Sequence, residues 1–293
     1  MRLINVNSFL FILVLFLTSP TANAQISVAG IFSNNMVLQQ NAEVSIWGWA
    51  NSGDTILVTG SWNNKTVKTV TDDNNKWMTK LSTPAAKTDG TSYTVTISGT
   101  NTIILSNILI GEVWLLSGQS NMEMQLSGWS DAPIEGSAAA INTANFPNIR
   151  LMTVNKKSSS SPVYDIQNNL NNQWVKCSPA TAGNFSAVGF FFGRELHQNL
   201  NIPIGLVNSS WGGSSCETWA EKSSLDFVSE YANNGPWQSQ NSDDNQTATV
   251  LYNGMIAPIV PFNFAGVCWY QGETNVGRSE QLTELFPAMI EGW

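Results

Sequence analysis

Between Val28 and Ser106 the apolar residues come in short runs, "AEVSIWGWA", "DTILVTG", "KTVKTVT", "KWMTKL" and "SYTVTISG", broken by "NSGD", "SWNN", "DDNN" and "KTDG". Tyr93, Val95 and Ile97 alternate with Thr94 and Thr96, the period of a strand buried on one face. Several such strands at close spacing predict a small β-sandwich over residues 25–106. Most of its tryptophans, Trp47, Trp49, Trp62 and Trp77, are expected in the core rather than on a sugar-stacking surface.

After "ILSN" the pattern changes. "ILIGEVWLL" (108–116), "NIRLMTV" (148–154), "IPIGLVNSS" (202–210) and "FAGVCWY" (264–270) are near-continuous apolar runs, as for strands covered on both faces. Helical patterns lie between them at 133–142 and 187–199, and a last one covers "FPAMIEGW". Alternating strands and helices predict an α/β domain over 107–293, a parallel sheet with helices on both faces. The polar stretch "NKKSSSSPVYDIQNNLNNQW" breaks this rhythm and reads as a long surface loop. In an open parallel sheet, ligands bind beyond the carboxyl ends of the strands. Three strands end in unusual loops, "SGQSN", "SSWGGSS" and "QGETN", and parallel strands would carry all three to one edge.

Composition narrows the function classes. Only 12% of the 293 residues are charged, and the net charge of -8 opposes binding to nucleic acid or to an anionic membrane. An acidic sugar would need a local cation. Arg2, the apolar run Phe9–Leu17 and Ala22-Asn23-Ala24 have the form of a signal peptide over 1–24, so a secreted or periplasmic protein is expected, with no membrane association after cleavage. That run is far short of the roughly 20 residues of a spanning helix. The three cysteines, Cys177, Cys216 and Cys268, are widely spaced and form no CxxC, which argues against a metal site. A Cys177–Cys216 bridge stays open, and Cys268 reads as a small core hydrophobe. Oligomeric state is not legible.

Ser120 stands where an apolar strand gives way to a helix-compatible segment. The first N–H groups of a helix there would favour an oxyanion, which suits a nucleophile, although a plain N-cap serine has the same placement. Gly212 and Gly213 let main-chain N–H groups approach a ligand, or simply form a tight turn. Gln271 and Asn275 can each donate an amide N–H to an oxyanion, and Glu273 can orient a partner or accept from buried backbone donors. Arg278 is a candidate for a sugar carboxylate, with a solvated surface arginine as the plainer alternative.

The chain resembles the sialate O-acetylesterase group of SGNH-type hydrolases in "LLSGQSNMEM", "FSAVGFFFGREL", "NSSWGG", "LYNGMIAPIVPF" and "VCWYQGETN", and in "NNMVLQQ" and "SIWGWA" nearer the start. The resemblance implies a three-layer α/β/α SGNH-hydrolase-like domain preceded by a small β-sandwich. It implies Ser120 as catalytic nucleophile, oxyanion donors from Ser120, Gly213 and Asn275 or Gln271, an acetylated sugar or glycan as substrate, and no cofactor. It also implies an Asp-x-x-His motif in the C-terminal part, absent up to Trp293. His197, the only histidine, falls at the end of a helix leading into strand 204–209 and reads as a helix C-cap on the wrong edge of the sheet. The expectation is therefore an incomplete hydrolase domain, a C-terminally truncated esterase inactive by itself. The alternative is a carbohydrate-binding relative without catalysis.

Overall fold

The computed structural model describes residues 25–166, 173–229, 231 and 244–293. The expected signal peptide lies outside the described residues. Among those described, no helix is long and apolar enough to cross a membrane.

The first half is two facing sheets. β1 (Ser27–Val28), β3 (Glu43–Trp49) and β6 (Lys76–Ser82) form an antiparallel sheet in the order β1-β3-β6. β4 (Thr55–Gly60), β5 (Thr66–Val70), β7 (Tyr93–Ser98) and the start of β8 (Thr102–Gly118) form the other, while β2 (Val37–Gln39) pairs with the middle of β8. Strand periodicity sets what is buried. In β6, Trp77, Thr79 and Leu81 are buried, alternating with the exposed Met78, Lys80 and Ser82; Ile46 of β3 adds to the same sheet's core, and Val95 and Ile97 of β7 with Ile56 and Val58 of β4 supply the other sheet's.

β8 is the spine of the molecule. Its first residues pair antiparallel with β7, and residues 112–118 pair parallel with β11 (Ile204–Ser210). On the other side, residues 114–118 pair parallel with β12 (Gly266–Tyr270). β9 (Phe146–Thr153) continues the parallel sheet beyond β11, and β10 (Val175–Cys177) closes it antiparallel. One strand therefore runs from the sandwich into the α/β sheet through residue 106, where a change of character was expected. Asn107 turns the strand there with φ 55°. The buried Arg150 guanidinium sits against this kink, donating to the carbonyls of Asn35 (3.0 Å), Asn107 (3.3 Å) and Pro147 (2.8 Å). With no carboxylate among these partners, desolvation pulls its pKa down to about 10.

Successive residues of a strand face opposite sides, so β8 and β11 feed two cores. Val113, Leu115 and Val207 join the cluster that continues without a break from the sandwich. Leu116, Ile204 and Leu206 pack on the other face with Phe190, Ile149 and Met122. That face is covered by α1 (Ser120–Glu123), α2 (Ser137–Asn142), α3 (Pro179–Ala182) and α4 (Ala187–Leu200); α5 (Lys222–Leu225) and α6 (Ser279–Gly292) lie on the first. The result is the expected mixed α/β, three-layer arrangement, with the small β-sheet domain preceding it. Ser186 caps α4 by accepting from Gly189 N–H at 3.1 Å, and Asn201 ends it in a left-handed conformation with φ 53°.

The polar stretch after β9 is less peripheral than its composition predicts. Ile166 and Trp174 are buried, and Asp165 accepts from Gly30 N–H at 2.7 Å, fastening the stretch to the sandwich. Residues 167–172 of it lie outside the described residues.

Candidate active site

β8, β11 and β12 run parallel and end level, Ser210 beside Gly118 and Tyr270 beside Gly118 in register. The three loops singled out in the sequence therefore meet at one edge. They are stitched by backbone: Trp211 N–H donates to Gly118 O, and Gln119 N–H donates to Tyr270 O, both at 3.0 Å.

Ser120 begins α1, half-buried, and its Oγ has no hydrogen-bond partner among the described residues. The helix expected after it is a single turn. Beyond Glu123 the chain leaves helical geometry because residues 124–126 bond to a neighbouring segment: Met124 O accepts from Ala187 N–H and Leu126 N–H donates to Phe185 O, both at 2.8 Å. Little axial dipole can accumulate over one turn, so any oxyanion stabilisation comes from individual N–H groups. Those of Ser120 and Gly213 have no partner among the described residues. Gly212 lies against the serine: a Cβ there would sit 3.5 Å from Ser120 Cβ. Gly213 follows with φ 76°, a conformation that favours glycine.

Gln271 and Asn275, left open as amide donors, are told apart by burial. Asn275 is completely buried. Its Oδ1 accepts from Cys216 N–H (2.9 Å) and Gln271 Nε2 (2.6 Å), and its Nδ2 donates to Glu217 at 3.0 Å. Asn275 thus ties the second and third loops together and faces no open space. Gln271 is part-exposed, and its remaining contact, Nε2 to Ser214 O, is a long 3.3 Å.

Glu273 accepts from Asn121 Nδ2, next to the serine. The loop's backbone donors belong instead to Gln119: its buried Oε1 accepts from Gly272 N–H (3.3 Å) and Thr274 N–H (3.2 Å). Arg278 is not a free surface arginine. Its guanidinium pairs with the buried Glu217 carboxylate at 2.7 Å and also reaches Gln281 and Tyr231. Partial burial disfavours its charge, but the hydrogen bond and charge of Glu217 outweigh this and hold its pKa above the ordinary arginine value.

Three residues that the sequence did not single out, Gln119, Glu123 and Glu217, complete the framework. Glu123 accepts from Gly212 N–H with one oxygen and pairs with Lys156 through the other. Their signal was an acidic or amide side chain among small and apolar neighbours in "GQSNMEM" and "SSCETW". His197 takes no part. Its Nδ1 lies 2.7 Å from Ile202 O, before the start of β11. The seven residues of β11, at about 3.3 Å each, put roughly 20 Å between it and the loops.

The cysteines are all free. Cys177 and Cys216 belong to clusters on opposite faces of the sheet, so the bridge left open by the sequence does not form. Burial pushes both thiols up to about 12, helped for Cys216 by the Glu217 charge. Native protein at pH 8 should therefore release less than one equivalent from DTNB, from the part-exposed Cys268, and three after unfolding in guanidinium. Two rapid equivalents from the folded protein would contradict this packing.

A three-layer α/β domain with a serine at the carboxyl edge of its central strands, flanked by a glycine turn and an amide-bearing loop, is an SGNH-like hydrolase architecture. Residues 110–291 match the family described as carbohydrate esterase, sialic acid-specific acetylesterase, and the chain belongs to that family. Similar proteins include the sialate O-acetylesterases of Pongo abelii and Homo sapiens, each 33% identical over 282 residues, covering 90% of this chain and 52% of the relative. The chain thus spans about half the length of those curated relatives. Among solved structures, a carbohydrate acetylesterase from Xanthomonas citri is 34% identical with a TM-score of 0.78, covering 92% of this chain and 56% of that one.

Proposed function

We propose that this chain belongs to a secreted serine esterase that removes O-acetyl groups from sialic acid or related acetylated glycans, with Ser120 as its nucleophile. The observation that carries the proposal is Ser120 at the strand edge, its Oγ unpartnered among the described residues, beside the unpartnered N–H groups of Ser120 and Gly213. Ser120 Oγ attacks the acetyl carbonyl carbon. The carbonyl electron pair moves to oxygen, and this oxyanion accepts from Ser120 N–H and Gly213 N–H. Gln271 becomes a third donor by exchanging its long bond to Ser214 O for the substrate. Collapse breaks the ester C–O bond, the proton given up by Ser120 Oγ ends on the departing sugar oxygen to make its hydroxyl, and water then hydrolyses the acetyl-enzyme, releasing acetate and returning a proton to Ser120 Oγ. Asn275 and Glu217 hold the loops rather than touch the acetyl group. Arg278, its side chain 40% exposed, keeps part of its guanidinium at the surface for a sugar carboxylate, which a protein of net charge -8 needs nearby.

The test is acetate release from 9-O-acetylated sialic acid and from acetylated neutral glycans by the intact protein, with peptide mapping after a fluorophosphonate. Acetate release with Ser120 as the labelled residue supports the assignment. Absence of both, with glycan binding retained, would leave a carbohydrate-binding protein in its place.

A further inference from the structure

Glu123 follows the serine by three residues, yet its carboxylate reaches across to the second loop. One oxygen accepts from the N–H of Gly212, and the other pairs with Lys156 Nζ at 2.5 Å. Lys156 comes from the stretch after β9 and is steadied by the ring of Trp211, whose centre lies 5.5 Å from its Nζ. The glycine that Glu123 grips is the one whose missing side chain lets the turn lie against Ser120; a Cβ at Gly212 would be 3.1 Å from Glu123 Oε2 and 3.5 Å from Ser120 Cβ. Residues 120 and 123 share one helical turn, so a single rigid unit presents both the hydroxyl and the acceptor that holds the glycine turn.

We infer that Glu123 is a positioning residue: by accepting the Gly212 N–H it fixes where the next N–H, that of Gly213, stands relative to Ser120 Oγ, and Lys156 holds the carboxylate in that orientation. Glu123 touches no substrate. Its effect passes through peptide 212–213, the main-chain unit between the bond it makes and the proposed oxyanion donor. The glycine turn needs such a fixture because its own side chains supply none. On the opposite flank Asn245 Nδ2 donates to Gly212 O at 2.9 Å, so the Gly212 peptide groups are held from both sides. A donor displaced by about 1 Å loses much of its value to a developing oxyanion, on the order of 100-fold in rate.

This inference rests on Ser120 acting as the nucleophile, and the experiment separates the two. kcat and KM for p-nitrophenyl acetate are measured with the intact protein and with Ser120→Ala, Glu123→Ala, Glu123→Gln and Lys156→Met. Glu123→Ala is expected to lower kcat about 100-fold with KM changed less than about twofold. Glu123→Gln keeps an oxygen for the Gly212 N–H and should recover to within about fivefold of the parent. Lys156→Met, which frees the carboxylate from one anchor, should cost about five- to tenfold in kcat alone. An unchanged kcat in Glu123→Ala, or no rescue by glutamine, overturns the inference while an inactive Ser120→Ala leaves the esterase assignment standing. A fully active Ser120→Ala removes that assignment and the inference with it. If Glu123→Ala does not fold, Lys156→Met decides: unchanged kcat, or a loss seen only in KM, overturns the positioning role.

Discussion

Ser120→Ala should reduce ester hydrolysis by the intact protein on the order of 10⁴-fold or more, while leaving KM and thermal stability close to the parent. The size follows from losing the covalent route: what remains is the contribution of oriented N–H donors and binding alone. The selectivity follows from the structure. The hydroxyl accepts and donates no hydrogen bond among the described residues, so its removal breaks nothing in the fold, and a half-buried site tolerates one lost oxygen. Backbone N–H groups are untouched, so any oxyanion analogue should still bind. Paired measurements of kcat and of the unfolding midpoint check both halves. Retained hydrolysis would sink the nucleophile assignment, and a large fall in the midpoint would show that the hydroxyl supports the fold, although Gln119 and not Ser120 is the N-cap of α1.

Gly118→Ala should be the most damaging small substitution in the site, costing about 4 kcal/mol or more in chemical denaturation, or preventing folding. Gly118 has φ 138°, which side chains rarely adopt, and a Cβ there would sit 2.1 Å from Tyr270 O and 2.6 Å from Tyr270 C. Both obstacles are backbone, so no rotamer change relieves them. β12 would have to move off β8, taking with it the Gln119 N–H bond to Tyr270 O and the "QGETN" loop that Gln119 holds. The measured loss should therefore be one of stability and of activity together. A stable Gly118→Ala with a normal site would mean that the β8–β12 approach is looser than these distances.

Much of the fold is legible in the amino-acid sequence. Periodicity locates β3 to β7, α4, the second half of α6 and the parallel strands, because apolar spacing within a run reflects the element it forms. β1 and β2 are too short to leave a period. The site is legible in part. "GQSN", "SSWGG" and "QGETN" are recognisable as strand-end loops, and parallel pairing does bring them together. What each polar residue does there is not recoverable from residue type. Asn275 and Gln271 have the same amide chemistry, and only packing buries one and leaves the other part-exposed. Glu123 meets Gly212 across 89 residues, Arg278 meets Glu217 across 61, and no local pattern records such partners. The shortness of α1 escapes the sequence for the same reason: its continuation is prevented by bonds to residues 185 and 187.

The sequence by itself determined the order of elements, the fully buried strand at 204–210, the serine and glycines at strand ends, and the family likeness, since these depend on residue type and near-neighbour spacing; the run 264–270 reads as covered on both faces, yet among the described residues β12 pairs only with β8 and stays part-exposed. Tertiary structure alone decided that one strand serves both sheets, that Cys177 and Cys216 lie on opposite faces, and that Glu123, Glu217, Gln119 and Asn275 brace the loops. Those outcomes depend on which distant groups share a buried space, where each unpaired polar atom must find a partner, and that is settled only when the chain closes on itself.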